Sequence, residues 1–200
     1  MGFLRERGLI VPNYAAYYKA KLEGALLYQD FVVDVFYQHL GIPIVQYASK
    51  AYQNGVGESR CGIEIKFDEL SSIKPNLWIE IAEKATQRDG PYIESGIYRN
   101  DNAWLYVIGN YNVIYVLSKN ILRRIHQSGK YSTIENGTLT SKGILLPQKD
   151  AHKYADIVLT PQAENKINKL TRNLSETGKM LHEFLIQSND RRQLTLFDNS

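Results

Sequence analysis

From residue 14 to residue 40, apolar side chains recur at helical spacing: Leu22, Leu26, Phe31, Val32, Val35, Phe36 and Leu40. Gly41, Ile42 and Pro43 end that pattern, and Ile42 to Tyr47 predicts a short strand. The period then falls to two. Ile63, Ile65 and Phe67 face one way, with Glu64, Lys66 and Asp68 opposite. Leu77, Ile79 and Ile81 alternate against Trp78, Glu80, Ala82 and Lys84. Between the two runs lie Ser71, Ser72, Ile73, Lys74, Pro75 and Asn76, which predicts a hairpin.

Further on, Ser95 and Gly96 open a short helical turn. Trp104 to Ile108 and Val113 to Leu117 are apolar strands about a turn at Gly109 and Asn110. Ile121 to His126 is helical and basic. No single period governs residues 131–160, where Asn136 and Gly137 give the best hairpin turn and Ala155 to Leu159 a further strand. Pro161 starts a long amphipathic helix carrying Ile167, Leu170, Leu174, Leu181, Phe184 and Leu185 on its apolar side. This order predicts an α/β protein with a mixed β-sheet flanked by helices. Residues 1–160 would form the α/β domain, 161–190 a helix packed on it, and 191–200 a flexible tail.

Composition narrows the class. Two hundred residues with 44% apolar content suit one folded domain. The single cysteine, Cys61, excludes an internal disulfide framework and fits a reducing compartment. The first residues are charged where a signal peptide would be apolar, and no apolar run nears the ~20 residues of a membrane helix. The expected location is cytoplasmic. A net charge of +3 says little about partners. Its distribution says more: Lys119, Arg123, Arg124 and Lys130 lie close together, then Lys166, Lys169 and Arg172, then Arg191 and Arg192. Solvated helix faces account for such clusters equally well.

The acidic strands carry the candidate chemistry. Strands rarely line one face with Glu64, Lys66 and Asp68 unless that face meets water or a metal. Glu80 adds a carboxylate from the polar side of the next strand. Carboxylates converging in this way form a hard, oxygen-rich site suited to Mg²⁺. A neighbouring lysine can orient or help deprotonate a water there, while the cation stabilises charge on an attacked phosphate. The competing explanation is a solvated hairpin whose charges pair across strands. Cys61 lacks a nearby histidine, and the four histidines show no ligand spacing.

The run Gly62 to Asp68, then Leu77 to Ile81, then Ser95, Gly96 and Ile97 before the strand Trp104 to Ile108, resembles the PD-(D/E)XK nuclease superfamily. The similarity spans about residues 20–125 and rests on the order of short motifs. It implies Mg²⁺-dependent hydrolysis of DNA phosphodiesters on a mixed sheet flanked by helices. Two registers compete. In the favoured one, Asp68 and Glu80 match the two acids, and Ala82 stands where the motif lysine belongs, so that Lys66 or Lys84 would substitute. In the other, Glu64, Ile65 and Lys66 form the Glu-x-Lys element with Glu58 upstream, similar to the mismatch-repair nicking endonuclease. The resemblance makes Asp68, Glu80 and Glu64 metal ligands, with Lys66 and Lys84 as candidate catalytic lysines. Glu23 on the first helix is a further candidate acid. A fold retained without activity, serving DNA binding or adaptor work, is the alternative. A homodimer is compatible with either.

At the C-terminal end, Gln193, Leu194, Thr195, Leu196 and Phe197 resemble the bacterial sliding-clamp-binding pentapeptide. The resemblance implies Leu194, Leu196 and Phe197 filling apolar pockets of a clamp, with Gln193 hydrogen-bonding beside them.

Overall fold

The computed structural model describes residues 14–84 and 90–161. Within them the protein is α/β, with two four-stranded sheets and helices against them. Helix α1 (Tyr14–Leu40) fills the range its period predicts. A short helix α2 (Lys50–Gly55) follows, capped by the Ser49 side chain. The first sheet has the order β1 (Ile63–Phe67), β4 (Leu105–Gly109), β5 (Ile114–Ser118), β8 (Ile157–Leu159). The second has the order β3 (Tyr92–Glu94), β2 (Asn76–Lys84), β7 (Ser141–Pro147), β6 (Thr133–Glu135). Helices α3 (Lys119–Gln127) and α4 (Gln148–Tyr154) complete the described fold.

The first sheet is buried on both faces, which explains the unbroken apolar runs of β4 and β5. On one face, Ile63, Ile65, Leu105, Val107, Ile114 and Val116 pack with Tyr28, Val32 and Phe36 of α1. On the other, Tyr106, Ile108, Tyr115 and Leu117 share a core with Leu77, Ile79, Ile144 and Leu146 of the second sheet and Leu122 of α3. Each such fully buried aliphatic side chain contributes about 1.5–3 kcal/mol. Among the described residues no helix is long and apolar enough to cross a membrane.

Several sequence expectations hold. The turn at Gly109 and Asn110 joins an antiparallel β4–β5 pair. Asn136 and Gly137 sit in the β6–β7 turn, with Asn136 Oδ1 accepting from the amides of Thr140 and Ser141. Ser95 and Gly96 open a short 3₁₀ turn, Gly96–Tyr98.

Two expectations fail. The strands 63–68 and 77–81 alternate as read, yet they do not pair as a hairpin. β1 runs parallel to β4, while β2 lies between β3 and β7 in the other sheet. Asp68 divides them by capping a 3₁₀ turn at Glu69–Ser72, which sends the chain out of the first sheet. Period-two alternation reports which face a side chain takes and leaves the strand's partner open. The expected strand at 42–47 reduces to one antiparallel bridge between Gln46 and Ser59. Pro43 has no amide hydrogen to give a ladder, and Ile42 and Ile44 are instead buried in the core beneath α1. The expected helix from Pro161 and the 191–200 tail lie outside the described residues.

Candidate active-site cleft

A cleft of about 1020 Å³ opens between α1, the C-terminal end of β1, the polar face of β2 and the β6–β7 hairpin. Asp68, Glu80 and Lys66 all line it. The two acids therefore meet across a cleft, from elements of two sheets, and not on one side of a shared hairpin. Asp68 is held by backbone amides: its Oδ2 accepts from Trp78 N at 2.7 Å and its Oδ1 from Ser71 N at 3.1 Å. Glu80 accepts a hydrogen bond from the Ser95 hydroxyl. Gly96, at φ +52°, permits that approach, since a Cβ there would stand 2.7 Å from the Glu80 carbonyl carbon.

The burial of these acids is only partly compensated. Burial raises the pKa of Asp68 above the ordinary carboxylate range, and the amides of Trp78 and Ser71 offset it only in part. Burial also raises Glu80, against the Ser95 hydrogen bond and the Lys66 charge. No lysine or arginine among the described residues stands at ion-pair distance from either carboxylate.

Glu64 differs. It is fully buried behind the cleft, 2.8 Å from Lys66 Nζ and 2.7 Å from Lys119 Nζ. Burial alone would raise its pKa, but the two ammonium groups outweigh it and hold the carboxyl below its usual range. Lys119 is itself buried and reaches Asp101 at 3.1 Å, and Arg99 approaches Asp101 at 3.5 Å. Lys66 also contacts Glu58 at 3.3 Å. Glu58 in turn accepts from Ile65 N at 3.1 Å. Burial works against the Lys66 charge, yet Glu64 and Glu58 raise its pKa well above the ordinary lysine value.

The remaining expectations separate. A bulge between Glu80 and Ala82 in the β2–β7 ladder breaks the alternation, so parity counted from Glu80 does not carry to Lys84. Lys84 instead lies 5.0 Å from the Tyr92 ring centroid and does not line the cleft. Glu23 is exposed on α1, 3.9 Å from Lys19. Lys119, grouped by sequence with an exposed basic cluster, is a core residue. Gln193, Leu194, Leu196 and Phe197 lie outside the described residues.

Sequence reasoning missed the roles of Ser95, Asp101 and Lys119. Lys119 carried one usable signal: it follows β5 at once, one residue past the apolar run that ends at Leu117, where the chain is still inside the core. Asp101 carried none, since a loop aspartate normally meets water.

The donor set fits a small hard divalent cation. Among the described residues no three His, Cys, Asp or Glu side chains gather into a metal cage. Magnesium is commonly held by one or two carboxylates with substrate phosphate and water supplying the rest. Glu64 is poorly placed as a third ligand, because a cation there would displace an ammonium group. Comparison with protein-family models, characterised proteins and solved structures finds no match.

Proposed function

We propose that this protein is a Mg²⁺-dependent DNA endonuclease of the PD-(D/E)XK type, with its site in the cleft lined by Asp68, Glu80 and Lys66. The observation that carries this reading is the pair of half-buried carboxylates lining one cleft with no lysine or arginine at ion-pair distance among the described residues. Mg²⁺ bound there would balance both acids and stabilise charge developing on an attacked phosphate. Asp68 is oriented for this by the Trp78 and Ser71 amides, and Glu80 by Ser95. Lys66, kept protonated by Glu64 and Glu58, serves as a fixed positive charge and not as a base. Its position in both motif registers agrees with that role.

The test is nicking of supercoiled plasmid. The parent should nick with Mg²⁺ and stop with EDTA, and Asp68→Asn and Glu80→Gln should each lose at least a hundredfold, on the order of one essential electrostatic contact. Wild-type rates from all variants would refute the reading. One observation favours the inactive, DNA-binding or adaptor alternative: β2 carries Ala82 in place of the motif lysine, and the bulge diverts Lys84. Stable DNA binding with no nicking under any divalent cation would establish it.

Delivery by a sliding clamp through residues 193–197 is the second part of the proposal and rests on the pentapeptide alone. Calorimetry of a peptide spanning Arg191 to Ser200 against a bacterial clamp should show micromolar binding, abolished by Leu196→Ala with Phe197→Ala. An absence of heat at high micromolar peptide would refute it.

A further inference from the structure

Trp78 belongs to neither hydrophobic core, although it sits mid-strand in β2 between the buried Leu77 and Ile79. Its indole lies across β7 at Gly143, where a Cβ would stand 2.8 Å from Cζ2 and 2.9 Å from Cε2. Only a residue without a side chain lets the ring approach the strand so closely. Beside it, Leu145 pairs with Trp78 in register and remains 41% exposed, and Ile134 of β6 is 39% exposed. All three line the same cleft as Asp68 and Glu80. The residue is also tied to Asp68, since its backbone amide donates to that carboxylate. A flat aromatic surface flanked by aliphatic side chains has no use in gripping a phosphate, but it suits the face of a planar ring.

We infer that Trp78 is a stacking platform for an unpaired nucleobase, so that the cleft takes single-stranded or locally opened DNA in preference to regular duplex. A base inside a duplex has both faces covered by its neighbours and offers none to the indole. The charge of the walls adds a condition. Asp68, Glu69, Glu80 and Glu135 outnumber Lys21, Lys66 and Lys74 there, so a polyanion enters when a divalent cation reverses the balance. Base stacking on Trp78 is therefore cation-dependent. This inference rests on the nuclease reading of the cleft and deepens it by naming the substrate class.

Fluorescence tests it without requiring turnover. The chain has two tryptophans, and Trp104→Phe leaves Trp78 as the sole indole. With Ca²⁺ in place of Mg²⁺, a thymidine oligomer of about eight nucleotides should quench Trp78 emission, and EDTA should abolish the quench. A matched duplex should leave emission unchanged. By anisotropy, in the chain with Trp104 retained, Trp78→Leu should weaken single-strand binding about tenfold, and Trp78→Phe should recover most of it. Equal affinity of Trp78→Leu and parent, equal binding of duplex and single strand, or quenching by a neutral oligosaccharide alone would each overturn the inference. The two readings fail separately. Plasmid nicking with Trp78 unquenched removes the platform and keeps the nuclease, whereas quenching without nicking keeps the platform and removes the nuclease.

Discussion

Two groups of acids lie within one fold, and their surroundings treat them oppositely. Glu64 is buried between two lysines and has its pKa lowered, while Asp68 and Glu80 line the cleft with no lysine or arginine at ion-pair distance among the described residues and have theirs raised. The first arrangement holds the protein together. The second opposes folding in the absence of a ligand, and such a site persists in a fold that gains elsewhere. Burial does not explain the difference, since the most buried of the three acids has the lowered pKa: what separates them is whether an opposite charge is already in contact.

The sharpest way to break this contrast is Lys119→Met. It takes from the interior the one cation that Glu64 and Asp101 share, leaving each a single cationic contact, Lys66 and Arg99, and unfolding free energy should fall by about 3–5 kcal/mol. For a chain of this size that is a drop in Tm of roughly 10 °C, measurable by calorimetry. A fall below about 1 kcal/mol would mean that the buried cluster is solvated in a way these contacts do not imply.

Glu80→Gln should do the reverse. A carboxyl with a raised folded pKa stabilises below its unfolded pKa, and that contribution is lost as pH rises through the folded value. The parent should therefore lose stability relative to Glu80→Gln as pH climbs from the ordinary carboxylate range towards neutrality. At neutral pH the variant should match or exceed the parent to within about 1 kcal/mol. Mg²⁺ should raise the Tm of the parent and leave that of the variant unchanged. Glu64, whose pKa is lowered, gives stability above its unfolded pKa that is lost as pH falls through the folded one. The two groups thus predict opposite slopes in urea titrations, that of Glu80 above the ordinary carboxylate pKa and that of Glu64 below it.

The smallest effect separates the lysines. Lys66→Ala should slow cleavage at least tenfold, because it removes the fixed positive charge that lines the cleft and acts on Glu80. Lys84→Ala should change rate and stability by no more than about 0.5 kcal/mol, as for an ordinary surface substitution. If Lys84→Ala is the damaging change, the bulge does not divert it as described.

Much of the fold was legible along the chain. The helical period of α1, the alternation of β1 and β2, the turn at Gly109 and the Asn136–Gly137 turn all express local preferences that a single strand or helix carries in its own residues. Which strands pair does not. β4 is apolar on both faces and needs cover on each side, yet it pairs with β1, which carries Glu64 and Lys66 on one of its faces, and that choice is a property of the completed fold. At the site, Asp68, Glu80 and Lys66 were found from residue type and face. The β2 bulge that removes Lys84 left no mark in the pattern, and the burial of Lys119 depends on Glu64 and Asp101 arriving from distant segments.

The parallel pairing of β1 with β4 also bears on how the cleft opens and closes. A parallel pair cannot close through a tight turn, and here the crossover between them contains β2 and β3 of the other sheet. The floor of the cleft at Lys66 and Asp68 and its wall at Trp78 and Glu80 are thus consecutive stretches of one long excursion. Such distant contacts are slow to form. A transient lifting of β2 from β7 would dismantle the cleft while α1 stays on the first sheet. In hydrogen exchange, the amides of Trp78 and Glu80 would then open together, earlier than those of β4 and β5.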